Sequence, residues 1–282
     1  MSSDFLLISK KSNEIRITVY GSDNLKSAPC LIFVHGFKGF KDWGFGPYIG
    51  DYFAKKWFFV ITFNFSHNGI GEGKTEFTEL DKFAENTFSL EVAELNEVID
   101  AYINSFFGGK SDQGIGIAGH SRGGAIALLT SQNRSEVKAV TVWSSVSKLD
   151  RYSERQKEEW RKKGVFNILN TRTKQIMPLN LTLLDDIENN GDALSIQDAA
   201  RNLSKPFLII HGEADLAVPF QEAEQLLKWS DEENSELIKI DKAGHTFDIK
   251  HPFDGSNPKF ETVLDKTENF FKSNLNWGYN EN

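Results

Sequence analysis

Between residues 114 and 129 an apolar run of strand character passes into an apolar run of helical character through Gly119-His120-Ser121-Arg122-Gly123. So abrupt a reversal puts its central residue in a strained backbone conformation, and a Cβ at position 119 or 123 would crowd the turn, hence the glycines. Strand, sharp turn and helix in immediate succession call for a sheet of parallel strands with helices packed on its faces. The Ser121 hydroxyl is then expected to project from the carboxyl edge of that sheet into a cleft.

The rest of the chain alternates in the same way. Residues 5–9 and 14–20 read as a leading hairpin, and 31–34, 57–64, 114–118, 137–143, 206–211 and 236–240 as further strands. Several are unbroken apolar runs, as strands covered on both faces require. Helical periodicity marks 48–56, 88–106, 122–131, 221–229 and 258–271. The expectation is an α/β fold with a mostly parallel eight-stranded sheet flanked by helices. One region interrupts it. From 148 to 203 the chain turns polar, with a charge run over 151–163 that reads as a solvated helix face and a small hairpin over 165–170 and 175–179. This insertion follows the carboxyl end of the sixth strand, so it is expected to form a cap over the cleft, on a core built from 1–147 and 204–282.

Composition narrows the partners. A net charge of −8 argues against nucleic acid, whose phosphates need a basic surface. No apolar run approaches the ~18 residues of a membrane span, and the first ten residues do not read as a signal peptide, so a cytoplasmic location is expected. The single cysteine, Cys30, adjoins an apolar run and is expected in the core.

A serine at its free pKa is a poor nucleophile; it needs a base, and the base an orienting acid. Of the six histidines, His245 in Gly244-His245-Thr246 directly follows the last strand, where a loop can swing back to Ser121. The acid should lie between them. Asp215 and Glu213 both follow the seventh strand, and the shorter Asp215 is preferred, with Glu213 left to brace the loop. A developing oxyanion needs donors. The Arg122 N–H at the start of its helix is one, and the Phe37 N–H in His35-Gly36-Phe37-Lys38-Gly39 the other, with His35 bracing that loop. His120, Lys38, Trp43 and Met177 are the candidates for contacting substrate, although Lys38 also reads as a solvated side chain. No cluster has convincing metal spacing, and Gly69-Ile70-Gly71-Glu72-Gly73 has the wrong spacing for a dinucleotide loop.

Four motifs in order carry a family likeness: His35-Gly36-Phe37-Lys38-Gly39, Gly119-His120-Ser121-Arg122-Gly123, His211-Gly212-Glu213-Ala214-Asp215 with Val218-Pro219, and Gly244-His245. Over about residues 14 to 272 the sequence resembles the α/β-hydrolase superfamily, in the branch of dienelactone hydrolases, cinnamoyl and feruloyl esterases and other capped bacterial serine esterases. The resemblance implies ester hydrolysis through an acyl-enzyme, with no metal or organic cofactor. One departure stands out: many relatives carry Asp-x-Arg-Gly-x-Gly after the fourth strand, where this chain has Asn64 and His67-Asn68. The expected partner is a small-molecule ester of a small or aromatic substrate, with its acyl and alcohol parts left open. Phe37, Phe40, Trp43, Phe45 and Tyr48 crowd the loop after the third strand. Most are expected to pack the core, but they are compatible with an aromatic-walled pocket for aryl or medium acyl groups. Thioester or peptide hydrolysis, and a non-catalytic binding role, are the alternatives. The sequence leaves the oligomeric state open.

Overall fold

The computed structural model describes residues 2–276. Among the described residues ten strands are formed: β1 (Ser2–Ile8), β2 (Glu14–Tyr20), β3 (Cys30–Val34), β4 (Phe59–Asn64), β5 (Ile115–His120), β6 (Val137–Trp143), β7 (Val165–Leu169), β8 (Ile176–Asn180), β9 (Phe207–Gly212) and β10 (Ser235–Ile240). Eight of them make one sheet in the order β1-β2-β4-β3-β5-β6-β9-β10, and β7 and β8 pair separately. From β4 to β10 the sheet is parallel; β1 and β2 are an antiparallel hairpin added to its edge.

The helices are α1 (Gly46–Lys55), α2 (Leu80–Ala84), α3 (Phe88–Ile103), α4 (Arg122–Ser131), α5 (Glu154–Lys163), α6 (Leu181–Asn189), α7 (Ile196–Arg201), α8 (Gln221–Trp229) and α9 (Pro258–Asn274). They cover both faces of the sheet. On β3, Ile32 and Val34 face one apolar core while Leu31 and Phe33 face the other, and all four are buried. This accounts for the unbroken apolar runs. Cys30 is fully buried, as expected.

Two boundaries differ from the expected ones for a backbone reason. Trp57 has φ 66° and closes the end of α1, so β4 starts only at Phe59. Ser105 has φ 61°, which stops α3 at Ile103 rather than Phe106. The periodicity of the sequence does not mark the short helices α2, α6 and α7.

Between β6 and β9 the chain forms α5, the β7–β8 hairpin, α6 and α7. Most of the α5 charges are solvated, but Lys157 is buried and paired with Asp150 at 2.6 Å and Glu154 at 3.2 Å. Trp160, Leu179 and Leu183 from this segment join the larger apolar core, and Asp186 Oδ2 accepts the Ser89 N–H at the start of α3. Among the described residues no helix is long and apolar enough to cross a membrane.

Candidate active site

Ser121 stands between β5 and α4 with φ 57° and ψ −124°, a backbone strain that the turn imposes. Its glycine neighbours are needed for close approach. A Cβ at Gly119 would lie 2.4 Å from the Gly123 carbonyl oxygen, and one at Gly123 would lie 2.4 Å from the carbonyl oxygens of Val34 and His35. The Ser121 N–H is held by the Trp143 carbonyl at 2.8 Å on neighbouring β6.

Three strand ends bring three side chains into line. Ser121 Oγ lies 3.0 Å from His245 Nε2, and His245 Nδ1 lies 2.7 Å from Asp215 Oδ2. The Asp215 side chain is fully buried. Its Oδ1 accepts the N–H groups of Ala217 and Val218 at 2.8 and 2.9 Å, which fixes the carboxylate in its turn. Burial by itself would raise its pKa. The His211 ring 3.5 Å away, the hydrogen bond and charge of His245 and the Val218 N–H outweigh that and hold it far below the usual carboxylate range. Glu213 points elsewhere: it pairs with Lys239 Nζ at 2.9 Å and accepts the Lys242 N–H at 3.1 Å, bracing a surface turn.

The other histidines hold loops. His35 Nδ1–H donates to the Gly36 carbonyl at 2.9 Å while its Nε2 accepts the Phe65 N–H at 3.3 Å. Only a neutral ring satisfies both partners, and burial pushes its pKa down to about 4. His211 Nε2–H donates to the Val218 carbonyl at 2.8 Å, behind Asp215. The departure after β4 also serves this edge: Asn64 Oδ1 accepts the Lys41 N–H at 2.7 Å, and Asn68 Nδ2 reaches the Gly39 carbonyl at 3.5 Å.

Phe37 and Arg122 are adjacent across the cleft. Arg122 opens α4, so its N–H has no intrahelical acceptor. Its guanidinium lies 4.4 Å from the Phe37 ring and pairs with buried Glu91 at 2.7 Å. Burial raises the Glu91 pKa, opposed by the Arg122 charge. Sequence reasoning missed Glu91, because a glutamate on a helix 31 residues away carries no local signal of this pairing.

Two cavities flank Ser121. One, of about 210 Å³, has Phe37, Phe40, Trp43 and Phe45 in its wall and Lys38 and Arg172 among its lining residues. The other, of about 340 Å³, reaches under the inserted segment to Leu149 and Tyr152. Lys38 and Trp43 therefore line the cleft, and His120 does too, though its ring is engaged with the His245 carbonyl. Met177 does not: it is fully buried on β8, where it packs the hairpin into the larger core, so the expectation that it contacts substrate is corrected.

A mostly parallel sheet with these strand ends and this order of serine, aspartate and histidine defines the α/β-hydrolase fold. Solved structures share it. Est1E from Butyrivibrio proteoclasticus with ferulic acid bound is 18% identical, with a TM-score of 0.69 over 96% of this chain and 98% of its own. A putative hydrolase from Agrobacterium vitis S4 is 18% identical, with a TM-score of 0.70 over 97% and 98% of the two chains. The α/β hydrolase GrgF from Penicillium sp. sh18 is 16% identical, with a TM-score of 0.69 over 98% and 100%. Within that class, residues 108–278 match the BAAT / acyl-CoA thioester hydrolase C-terminal family, and the chain belongs to it. No curated protein matches the chain.

Proposed function

We propose that the protein is a serine hydrolase that cleaves carboxylic esters through an acyl-enzyme. The observation that carries this is the unbroken relay from Ser121 Oγ through His245 to Asp215, at 3.0 and 2.7 Å. Ser121 Oγ attacks the acyl carbon as its proton passes to His245 Nε2. The Asp215 carboxylate holds the Nδ1–H tautomer and stabilises the imidazolium. The negative charge on the former carbonyl oxygen is taken by the N–H groups of Phe37 and Arg122, the latter aided by the α4 dipole. His245 then returns the proton to the leaving oxygen, and water, activated by the same histidine, releases the acid. We read residues 148–203 as a cap, because the cavity of about 340 Å³ lies between this segment and Ser121.

The family supports a second substrate class, thioesters, which the same relay would cleave with a thiol as leaving group. A fluorophosphonate probe tests the chemistry common to both. Intact mass should show one adduct on the native protein and none on Ser121→Ala, which should also lose roughly 10⁶ in turnover. An adduct that survives in Ser121→Ala overturns the assignment. Matched 4-nitrophenyl esters and thioesters of graded acyl length then rank the two classes.

A further inference from the structure

Acidic residues outnumber basic ones in this chain by 40 to 32. The cleft reverses that balance. Among the described residues no aspartate or glutamate lines either cavity beside Ser121, whereas lysine and arginine line both. In the larger cavity Arg122 is neutralised by Glu91 and Arg151 by Glu222, each at 2.7 Å, and Lys148 is exposed to solvent. Lys38, which lines both cavities, and Arg172, which lines the smaller, have no carboxylate partner among the described residues.

These two cations come from different parts of the fold, Lys38 from the loop after β3 and Arg172 from the turn of the β7–β8 hairpin. They meet at the cavity rim, where Arg172 Nη2 reaches only the Lys38 carbonyl, at a long 3.5 Å. Otherwise each cation faces rings: Lys38 Nζ lies 5.5 Å from the Phe37 centroid, and the Arg172 guanidinium 5.7 Å from Phe40 and 5.9 Å from Trp43. Burial, and then the Arg172 charge, push the Lys38 pKa down. Ring faces do not replace a counter-ion, and most of the guanidinium N–H donors remain unused. Two like charges at one rim, over an aromatic wall, are complemented by a single anion on an apolar stem.

We propose that Lys38 and Arg172 form a carboxylate-recognition subsite, so that the enzyme acts on esters or thioesters whose half lying in the aromatic-walled cavity ends in a carboxylate. This rests on the hydrolase reading above. The net-negative surface with a cationic cleft would also focus such anions onto Ser121, an effect that salt screens.

Two matched pairs test it. One compares mono-4-nitrophenyl adipate with its methyl diester, which places the charge on the acyl half. The other compares 4-carboxyphenyl butyrate with the methyl ester of that carboxylate, which places it on the leaving group. The expected result is a kcat/KM ratio of free acid to methyl ester of about tenfold or more in one pair, as hydrogen bonds to a charged group supply. That ratio should shrink with added salt and fall severalfold in Arg172→Gln and in Lys38→Gln. Arg172 is exposed, so its variant should fold, and the ratio cancels any general loss of activity. Ratios at or below one in both pairs, with Ser121 still taking a fluorophosphonate, overturn the subsite and leave the hydrolase standing. A high ratio untouched by both variants overturns it as well. If no substrate turns over and Ser121 takes no probe, the hydrolase reading fails and the subsite falls with it.

Discussion

His120 donates its Nε2–H to the carbonyl oxygen of His245 at 2.9 Å, so the residue before the serine holds the loop that carries the histidine. A carbonyl only accepts, which places the His120 proton on Nε2. Burial pushes the His120 pKa down to about 3, so the ring stays neutral at any working pH. His120→Phe removes the donor and should lower kcat by about tenfold with little change in KM, the cost of misplacing a catalytic group. The kcat–pH profile between pH 5 and 8 should keep its shape in His120→Gln, because His120 does not titrate there. A profile that changes shape in that variant would move the proton-accepting role to His120.

Glu91 and Arg122 form a buried pair, with side chains 2% and 12% exposed, and the guanidinium supports the Phe37 ring. Removing the carboxylate leaves a charge without a partner. Glu91→Leu should therefore cost about 3 kcal/mol in urea unfolding and also slow ester hydrolysis, as Phe37 loses its support. The double variant Glu91→Leu/Arg122→Met should recover much of the stability but not the rate. Additive stability losses in that cycle would show that the two residues are not coupled.

Buried ionisable groups set the pH range of the fold. His35, at about 4 when folded, takes up a proton in the unfolded chain near 6.5. Its contribution is complete above pH 6.5 and is lost as pH falls toward 4, at about 1.4 kcal/mol per unit. Glu94 works in the opposite sense. Burial raises it to about 7, against hydrogen bonds from the Ser66 hydroxyl and N–H, so its contribution is complete below about 4.5 and lost as pH rises through 7. Glu94→Gln should accordingly gain on the native protein at pH 8 relative to pH 5, and its stability should fall more steeply on acidification. Urea titrations at pH 5, 6.5 and 8 measure this; a constant offset between the two proteins would refute it.

Chain order and local pattern made the central features legible. Ser121 announces itself because strand, glycine-flanked turn and helix are contiguous, and Asp215 and His245 because each follows directly on a strand. What stayed hidden depends on distant segments meeting. Arg172 sits in a polar turn that looks like any solvated one, and only the fold of the β7–β8 hairpin brings it over Phe40 and Trp43. Lys157 lies inside a charge run yet is buried, since one face of α5 turns inward with Trp160. Met177 alternates along β8, and nothing local says whether an apolar side chain there meets a ligand or the core.

Asp215 and Glu213 follow the same strand two residues apart, and their surroundings predict opposite consequences of losing charge. Asp215 Oδ1 is fixed by two backbone N–H groups, so in Asp215→Asn the amide oxygen keeps that place and the amide nitrogen turns toward His245. Nδ1 must then accept rather than donate, which leaves the proton on Nε2, facing Ser121 Oγ, where it blocks proton transfer. A wrong tautomer of this kind costs roughly 10⁴ in kcat while the fold survives. Glu213 touches Lys239 and the Lys242 N–H on an exposed turn, so Glu213→Gln should cost less than about tenfold. The decisive measurement is the ranking of the two variants on one ester at one pH, after their circular dichroism spectra are shown to match the native protein. A larger loss in Glu213→Gln would mean that the working acid approaches His245 from the surface turn, and that the buried aspartate serves only its own loop.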